Sequence, residues 1–236
     1  MDDGIIHTKC LLNETPEQHL KRHRAYVHEI FDILAENNLF IKPEKCAFEQ
    51  EETDYLGVIV GKGWLKMDPK KLQGVANYPT LQNVTDIQAF LGFTGYYRYF
   101  VQNYSAIVCP LLDLTKKGRI FKWEDRHQEA FDKIKAIMCK APVLLQPNFN
   151  KKFYLQTDAS AYGVGAVLSQ EGETTPSLAT HKKPILHPIA YFSATFTPTE
   201  RNYDIYEREL LAVMKALAHW RPYLGWTKHP FTIMTQ

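Results

Sequence analysis

The amino-acid sequence predicts an α/β protein arranged in three successive segments. Strand-like and helical patterns alternate up to residue 67, helical patterns occupy residues 68–142, and strands flank one long helix in residues 143–236. The 236 residues suffice for one large or two modest domains. A content of 45% hydrophobic and 23% charged residues is ordinary for a globular chain, so we expect a folded protein rather than a disordered one.

The first segment is predicted to contain a turn at residues 1–4, a short strand after it, and a helix at 16–37. Pro16 suits the first turn of that helix. The apolar residues of the helix share one face: Leu20, Val27, Ile30 and Leu34. Further strands are predicted at 39–41, 46–48, 55–60 and 64–67. The last two are separated by Gly61-Lys62-Gly63, which is typical of a hairpin turn.

The second segment is predicted to be helical throughout. Asp68-Pro69 is a helix start, and Pro79 ends that helix. Three more helices are expected at 84–101, 105–114 and 124–139. The first of them is rich in aromatic residues: Phe90, Phe93, Tyr96, Tyr97, Tyr99 and Phe100. These rings could form the core of a helical bundle, or they could stack on nucleic-acid bases.

The third segment returns to strands, predicted at 153–158, 163–170, 188–192 and 231–236. A polar stretch at 171–183 is expected to be a loop. One long helix is predicted at 200–224. Its apolar residues follow steps of three or four and define the face expected to be buried: Tyr203, Tyr206, Leu210, Val213, Leu217, Trp220 and Leu224.

Charge and cysteine content narrow the class of protein only slightly. A net charge of +2 does not by itself indicate a nucleic-acid partner, and the basic clusters at 19–28 and 66–71 are either solvated faces or contacts to phosphates. The four cysteines are scattered with no Cys-x-x-Cys or Cys/His spacing, which predicts neither a zinc site nor a disulfide framework. We expect a reduced, intracellular protein with no membrane partner, cut at both ends from a longer chain.

Two sets of acidic residues could hold a divalent metal ion. Asp2 and Asp3 are adjacent at the predicted turn, where both carboxylates could reach one Mg²⁺, although Asp-Asp-Gly is also a common exposed turn. Asp158 ends the strand at 153–158, whose Phe-x-Leu-x-Thr pattern matches the strand that ends at Gln236. If the long helix connects two parallel neighbours, these strand ends lie side by side.

Glu209 is the third acid of this second set. It borders the expected buried face of the long helix and points near the sheet. A carboxylate in that position needs a metal ion or a basic partner, because burial of an unpaired charge is costly. The sequence leaves both alternatives open, a metal site and a salt bridge to a nearby lysine or arginine.

These residues resemble the polymerases of gypsy-type LTR retrotransposons, which are related to retroviral reverse transcriptases. In the first segment the similar motifs are Met1-Asp2-Asp3, Phe-Ile-Lys-Pro-Glu-Lys-Cys-Ala-Phe (40–48) and Tyr-Leu-Gly-Val-Ile-Val (55–60). In the second they are Tyr78-Pro79-Thr80, the run at 90–98, and Phe121-Lys122-Trp123. In the third they are Thr157-Asp158-Ala159-Ser160, the run at 163–168, and Glu207-Arg208-Glu209-Leu210.

The resemblance implies the end of a reverse transcriptase palm at 1–67, a helical thumb- or connection-like region at 68–142, and a ribonuclease H-like domain at 143–236. The last would have a mixed sheet of the five-stranded type, truncated at its carboxyl end. By this resemblance Asp2 and Asp3 hold Mg²⁺ for polymerisation, Asp158 and Glu209 hold it for hybrid hydrolysis, and Mn²⁺ is the alternative ion. Lys45 would protonate the pyrophosphate leaving group. The implied partners are RNA–DNA hybrid or primer–template duplex, and the oligomeric state stays open.

The departures from the family pattern concern its acids. The first palm aspartate would lie upstream of Met1, Gln236 stands where the family has an aspartate, and the final ribonuclease H acid would lie beyond residue 236. An amide does not supply the missing charge. We therefore expect impaired catalysis. The alternative is a non-catalytic module, derived from a transposable element, that binds nucleic acid or protein.

Overall fold

The computed structural model describes residues 4–11, 13–172 and 185–235 of the chain. It divides into two compact units, Met1–Leu56 and Gly57–Gln236. The mixed α/β fold class predicted from the sequence is confirmed. Asp2, Asp3, Gln236 and most of the predicted loop at 171–183 lie outside the described residues.

The first unit is organised around helix α1 (Pro16–Glu36). Thr15 starts the helix with a capping box: its Oγ1 accepts from the Gln18 N–H at 3.3 Å, and its own N–H donates to Gln18 Oε1 at 3.0 Å. A 3-10 turn at Pro43–Lys45 and strand β1 (Thr53–Tyr55) follow. The helix predicted at 16–37 is therefore confirmed almost to the residue.

Three strands predicted in this unit are wrong. Residues 4–11 have no regular structure within the described part, and neither do residues 39–42 and 46–48. Phe40 is 90% exposed. A strand is stabilised by hydrogen bonds to a neighbouring strand, so β propensity alone does not create one where no neighbour lies alongside.

The second unit begins with a small antiparallel sheet formed by β2 (Val58–Gly61), β3 (Trp64–Met67) and β4 (Leu144–Leu145). The hairpin turn predicted after Gly61 is confirmed. The single strand predicted at 55–60 is interrupted, because Leu56 and Gly57 have left-handed φ angles of 49° and 79°. Glycine adopts such an angle without strain, which makes Gly57 a natural place for the break.

Four helices follow the first hairpin: α2 (Pro69–Ala76), α3 (Val84–Tyr96), α4 (Tyr104–Leu114) and α5 (Asp125–Cys139). Helix α3 ends five residues before the predicted position of 101, and a 3-10 turn covers Arg98–Phe100. Asn103 then adopts a left-handed φ of 55°, which redirects the chain into α4. The aromatic run is therefore divided between the helix and the turn.

The aromatic residues of this region form a core rather than an exposed row. Phe90, Tyr97 and Phe100 are buried, and the rings of Phe90 and Phe131 lie 4.9 Å apart. The interpretation of these rings as core is therefore confirmed for the residues that are buried. Tyr96, by contrast, is half exposed.

The second unit also contains a larger sheet. Its strands are β5 (Phe153–Ala159), β6 (Gly163–Glu171), β7 (Leu186–Thr195) and β8 (Thr232–Thr235). Within the described residues its strand order is β7-β6-β5-β8. Strands β5, β6 and β7 pair antiparallel, whereas β8 pairs with β5 in parallel. The parallel neighbours are linked through α6 (Ile205–His219) and the short helix α7 (Arg221–Leu224).

The buried face of this helical region differs from the predicted one in its first half. Tyr206 and Leu210, predicted to be buried, are 81% and 64% exposed, and Ala212 and Ala216 are buried against the sheet instead. Trp220 and Leu224 are buried as predicted. The predicted single helix at 200–224 also divides into a 3-10 turn, α6 and α7. Small alanines let the helix approach the sheet closely, and the bulkier apolar stripe is left facing outward.

Helix α4 is joined to the edge of the larger sheet by a pair of serines. The Ser105 N–H donates to Ser193 Oγ, and Ser105 Oγ donates to the Ser193 carbonyl oxygen, each at 2.9 Å. These bonds satisfy a backbone donor at the start of the helix, where no intrahelical partner exists. They fix α4 over the face of the sheet that carries Ser193. No helix in the described ranges is both long and apolar enough to cross a lipid bilayer.

Stability of the second unit is expected to fall in mild acid because His127 is buried as a neutral ring. Burial lowers the pKa of His127, with help from the Arg126 charge. The ring takes up a proton more readily when the chain is unfolded, so its contribution is complete above the unfolded pKa of about 6.5 and is lost as pH falls toward the folded pKa. The loss cannot exceed about 1.4 kcal/mol per pH unit.

Urea titrations between about pH 7.5 and 5 test this expectation. His127 Nδ1 accepts from the Glu124 N–H at 2.9 Å, and its Nε2 is buried with no partner in the described ranges. His127→Gln keeps a capping acceptor at that position and should flatten the pH dependence. An unchanged slope in this variant would show that His127 is not responsible.

Candidate metal centre at the carboxyl edge of the sheet

Asp158 lies near the carboxyl end of β5 and is exposed. Residues alternate along the strand, so that Leu155 and Thr157 are buried while Asp158 points to the opposite face. Its partner across the antiparallel ladder is Gly165. A side chain built at Gly165 would meet the side chain of Asn103, just before α4. The Asp158 carboxylate therefore lies on the face of the sheet that α4 covers.

Glu209 approaches the same end of β5 from the other face. Ala212, one turn further along α6, packs in a cluster with Val164 and Ala159 at the end of the β5–β6 hairpin. Glu209 Oε2 is buried and has no hydrogen-bond partner among the described residues. The same holds for the hydroxyl of Thr157, on the α6 side of the strand. The sequence left open a metal site or a salt bridge for Glu209. No salt bridge of Glu209 is seen within the described ranges.

The remaining acids at the start of α6 are engaged in holding the helix. Asp204 Oδ1 accepts from the Glu207 N–H at 2.8 Å, and the Asp204 N–H donates to Glu207 Oε2 at 3.1 Å. Glu207 is therefore half of a capping box. Lys215 Nζ lies 2.8 Å from Glu200 Oε1, and this hydrogen bond lowers the pKa of Glu200. These contacts fix the turn of α6 that carries Glu209.

Strand β8 brings residue 235 beside Thr157. The parallel ladder pairs Thr157 with Thr235, which matches the expectation drawn from the shared Phe-x-Leu/Ile-x-Thr pattern. Gln236 itself lies outside the described residues. The ladder thus brings the end of β8 alongside Asp158, whereas Glu209 approaches the same edge from the opposite face.

A site that includes both Asp158 and Glu209 would lie beyond the end of β5. That the two acids share one metal ion stays a prediction.

The polymerase-type residues are a separate prediction, which the described part of the structure does not test. Asp2 and Asp3 fall outside the described residues, and Lys45 is exposed at the end of the 3-10 turn in the first unit. Their assignment rests on the resemblance alone and stays a prediction.

Among the described residues of the first unit, the side chains of Cys10, Glu14 and His19 form a cluster of potential metal ligands that the sequence spacing did not indicate. Single ligand atoms of Cys10, Glu14 and His19 lie within 4.8 Å of one another. Arg22 already binds both carboxylate oxygens of Glu14 at 2.8 Å, and this hydrogen bond lowers the pKa of Glu14 to about 2. A guanidinium in that position repels a divalent cation, so the cluster is best described as an ion-pair network.

Sequence reasoning also missed the surroundings of Asp158. Asn103, Asp113 and Arg126 line one cavity together with Asp158. The sequence predicts α4 as a helix, but it carries no signal for which surface that helix covers.

Comparison with known proteins agrees with this architecture. Residues 123–233 match the family model of the RNase H-like domain found in reverse transcriptase. The Retrovirus-related Pol polyprotein from transposon 297 of Drosophila melanogaster is 39% identical over 206 residues, covering 87% of this chain and 18% of the polyprotein. The Transposon Tf2-3 polyprotein of Schizosaccharomyces pombe is 33% identical over 235 residues, which cover 100% of this chain and 16% of that polyprotein. The chain thus spans less than a fifth of the length of either polyprotein.

Solved structures share the fold at lower sequence identity. The foamy viral protease-reverse transcriptase in complex with RNA/DNA hybrid gives a TM-score of 0.72 at 23% identity, covering 95% of this chain and 28% of that one. The foamy viral protease-reverse transcriptase dRH in complex with ds DNA gives a TM-score of 0.74 at 23% identity. The match covers 92% of this chain and 36% of that one. These likenesses extend over both units of the chain.

Proposed function

We propose that this chain, which belongs to the reverse transcriptase and ribonuclease H family of retrotransposon polyproteins, binds RNA–DNA hybrids. The binding site would be the carboxyl edge of the larger sheet, and cleavage of the bound hybrid would be poor. The observation that carries this proposal is the buried Glu209 Oε2 with no partner among the described residues. An unpaired buried carboxylate oxygen is costly unless a cation completes it. Its position, one turn before the residues that pack on the end of β5, is where strand-end chemistry gathers.

The residues fit a hard divalent cation. Asp158 and Glu209 offer carboxylate oxygens, which Mg²⁺ prefers, with Mn²⁺ as the alternative. When bound, such ions activate a water molecule and stabilise the leaving 3′ oxygen of the cleaved RNA. The chain's own part is to hold the two carboxylates at one edge, through the β5–β6 hairpin on one side and the capped helix α6 on the other.

Impairment follows from the charge of the site. Two carboxylates offset only half of the charge of two divalent ions, and Gln236 contributes no negative charge where the family has an aspartate. Substrate phosphate would offset part of the remainder, but the second ion would be held weakly. The parent activities of the family would be RNA-templated DNA synthesis and hydrolysis of RNA in hybrids. We propose that this chain catalyses neither of them efficiently.

The same proposal covers the other segments. Residues 1–67 would be the end of a palm with Asp2, Asp3 and Lys45 as polymerase residues, 68–142 a thumb- or connection-like region, and 143–236 the ribonuclease H-like domain. Primer–template duplex would be the partner of the first two. The cysteines Cys10, Cys46, Cys109 and Cys139 are free, which fits a reducing, intracellular setting.

A second candidate function is a non-catalytic module that grips duplexes. Tyr162 and Trp226 are 64% and 77% exposed, and exposed rings can stack on bases or sugars. Binding through aromatic and basic surfaces would persist even if the metal ligands no longer support chemistry. This function differs from the first in needing neither Asp158 nor Glu209.

A hybrid-binding titration run beside a nuclease assay separates these functions. We expect affinity for hybrid to fall with rising salt, because phosphate contacts release counterions, and we expect little cleavage with Mg²⁺. Asp158→Asn should weaken Mg²⁺-dependent binding, whereas Glu129→Gln, which removes an exposed charge on α5, should not. Efficient cleavage that Asp158→Asn abolishes would contradict the impairment. Absence of any hybrid binding would contradict both functions.

A further inference from the structure

A cavity of about 300 Å³ lies between α4 and the end of the β5–β6 hairpin. Its helix wall is built from small residues, Ala106, Cys109 and Pro110, and Val164 and Gly165 form part of its sheet wall. The helix is held over the sheet by the serine pair described above. The space is therefore a built feature of the junction between α4 and the sheet.

Two of the three charged residues that line the cavity, Asp113 and Arg126, are already in ion pairs. Lys116 Nζ binds Asp113 Oδ1 at 2.5 Å, and Arg126 Nε binds Glu124 Oε2 at 3.0 Å. The third, Asp158, has no hydrogen-bond or ion-pair partner in the described ranges. A cation is therefore the occupant that the Asp158 carboxylate favours.

The mouth of the cavity carries an aromatic ring. Tyr162, at the hairpin tip, lines the cavity and is largely exposed. Its backbone is fixed, because the N–H groups of Tyr162 and Gly163 donate to Ser160 Oγ at 3.2 and 3.1 Å. An aromatic face attracts an organic cation that comes within about 6 Å of the ring centre.

We propose that this cavity binds a small organic cation with a compact apolar body. The Asp158 carboxylate would pair with the charged end, and the small side chains of α4 would contact the apolar body. A volume of about 300 Å³ falls at the lower end of the range for small-molecule sites. An occupant would neutralise Asp158, so it would compete with a divalent ion for that carboxylate.

Benzamidine and its neutral analogue benzamide provide the first test on the unmodified chain, in the absence of Mg²⁺ and nucleic acid. Cys109 lines the cavity, so its alkylation rate, followed by peptide mass spectrometry, reports occupancy. We expect benzamidine to slow alkylation of Cys109 with a Kd on the order of 1 mM, and benzamide to bind at least tenfold more weakly. Cys10, Cys46 and Cys139 are internal controls that should not respond. Equal protection by both compounds, or protection of all four thiols, would overturn the proposal.

Variants supply the second test. Asp158→Asn should weaken benzamidine binding at least tenfold, and Ala106→Leu should abolish it by filling the helix wall. Glu129→Gln is the matched control and should bind as the unmodified chain does. Unchanged binding in Asp158→Asn would overturn the proposal. Since no metal or hybrid is present, this outcome is distinguishable from failure of the proposed nuclease function.

Discussion

Gln236→Asp is expected to raise Mg²⁺-dependent cleavage of hybrid RNA by on the order of 100-fold over the unmodified chain. The parallel ladder pairs Thr157 with Thr235, so the next residue of β8 should come alongside Asp158 at the carboxyl edge. A carboxylate there adds the charge that a second divalent ion lacks. Loss of a charge that acts in the transition state commonly costs several kcal/mol, and its return should recover a comparable part.

Cleavage of a labelled hybrid over a range of Mg²⁺ concentrations measures this effect. Thr232→Asp is the matched control, because it adds the same charge to β8 at the end away from the carboxyl edge. The double variant with Asp158→Asn should lose the gain. If Gln236→Asp cleaves no faster than Thr232→Asp, residue 236 does not contribute to the site.

The parallel pairing of β5 and β8 could be predicted from sequence because two independent signals agreed. The strands share the Phe-x-Leu/Ile-x-Thr pattern, and a helical segment of suitable length separates them. Crossover connections of this type join parallel neighbours. Where local pattern and topology point the same way, the sequence is a sufficient guide to the edge that carries Asp158.

The orientation of α6 could not be predicted in the same way. Apolar periodicity gives most weight to large residues such as Tyr206 and Leu210, which the structure leaves exposed. The face that packs on the sheet uses Ala212 and Ala216, whose small size matters only once the distance of the sheet is known. A sequence pattern identifies a helix with two apolar stripes but does not say which stripe meets the sheet.

The side of the strand on which Asp158 lies depends on packing between distant segments. Alternation along β5 follows from the sequence, but the covering of that face by α4 does not. Ser105 and Ser193 are 88 positions apart, and neither has a local signature of pairing. Hence the acid could be predicted as a site residue, whereas the cavity beside it could be found only from the structure.

Gly163→Ala is expected to destabilise the second unit by roughly 3 kcal/mol, a large value for a single added methyl group. Gly163 pairs with Thr195 across the β6–β7 ladder. A Cβ at Gly163 would overlap the carbonyl oxygen of Ala194 and lie 3.1 Å from the Cα of Thr195. Both are backbone atoms of β7, so the clash can be relieved only by moving a strand that α4 also contacts.

Gly165→Ala is the matched control two residues along the same strand. Its Cβ would overlap the side-chain oxygen of Asn103, which can rotate away, so we expect a smaller loss of about 1 kcal/mol. Asn103→Gly tolerates the left-handed φ of 55° at that position and should remove most of the Gly165→Ala penalty, while leaving that of Gly163→Ala unchanged. Urea unfolding of the unmodified chain, the three single variants and the two double variants gives the free energies to compare. Equal losses for the two glycine variants would show that the hairpin end, and the Asp158 edge it carries, is not held by backbone contact with β7.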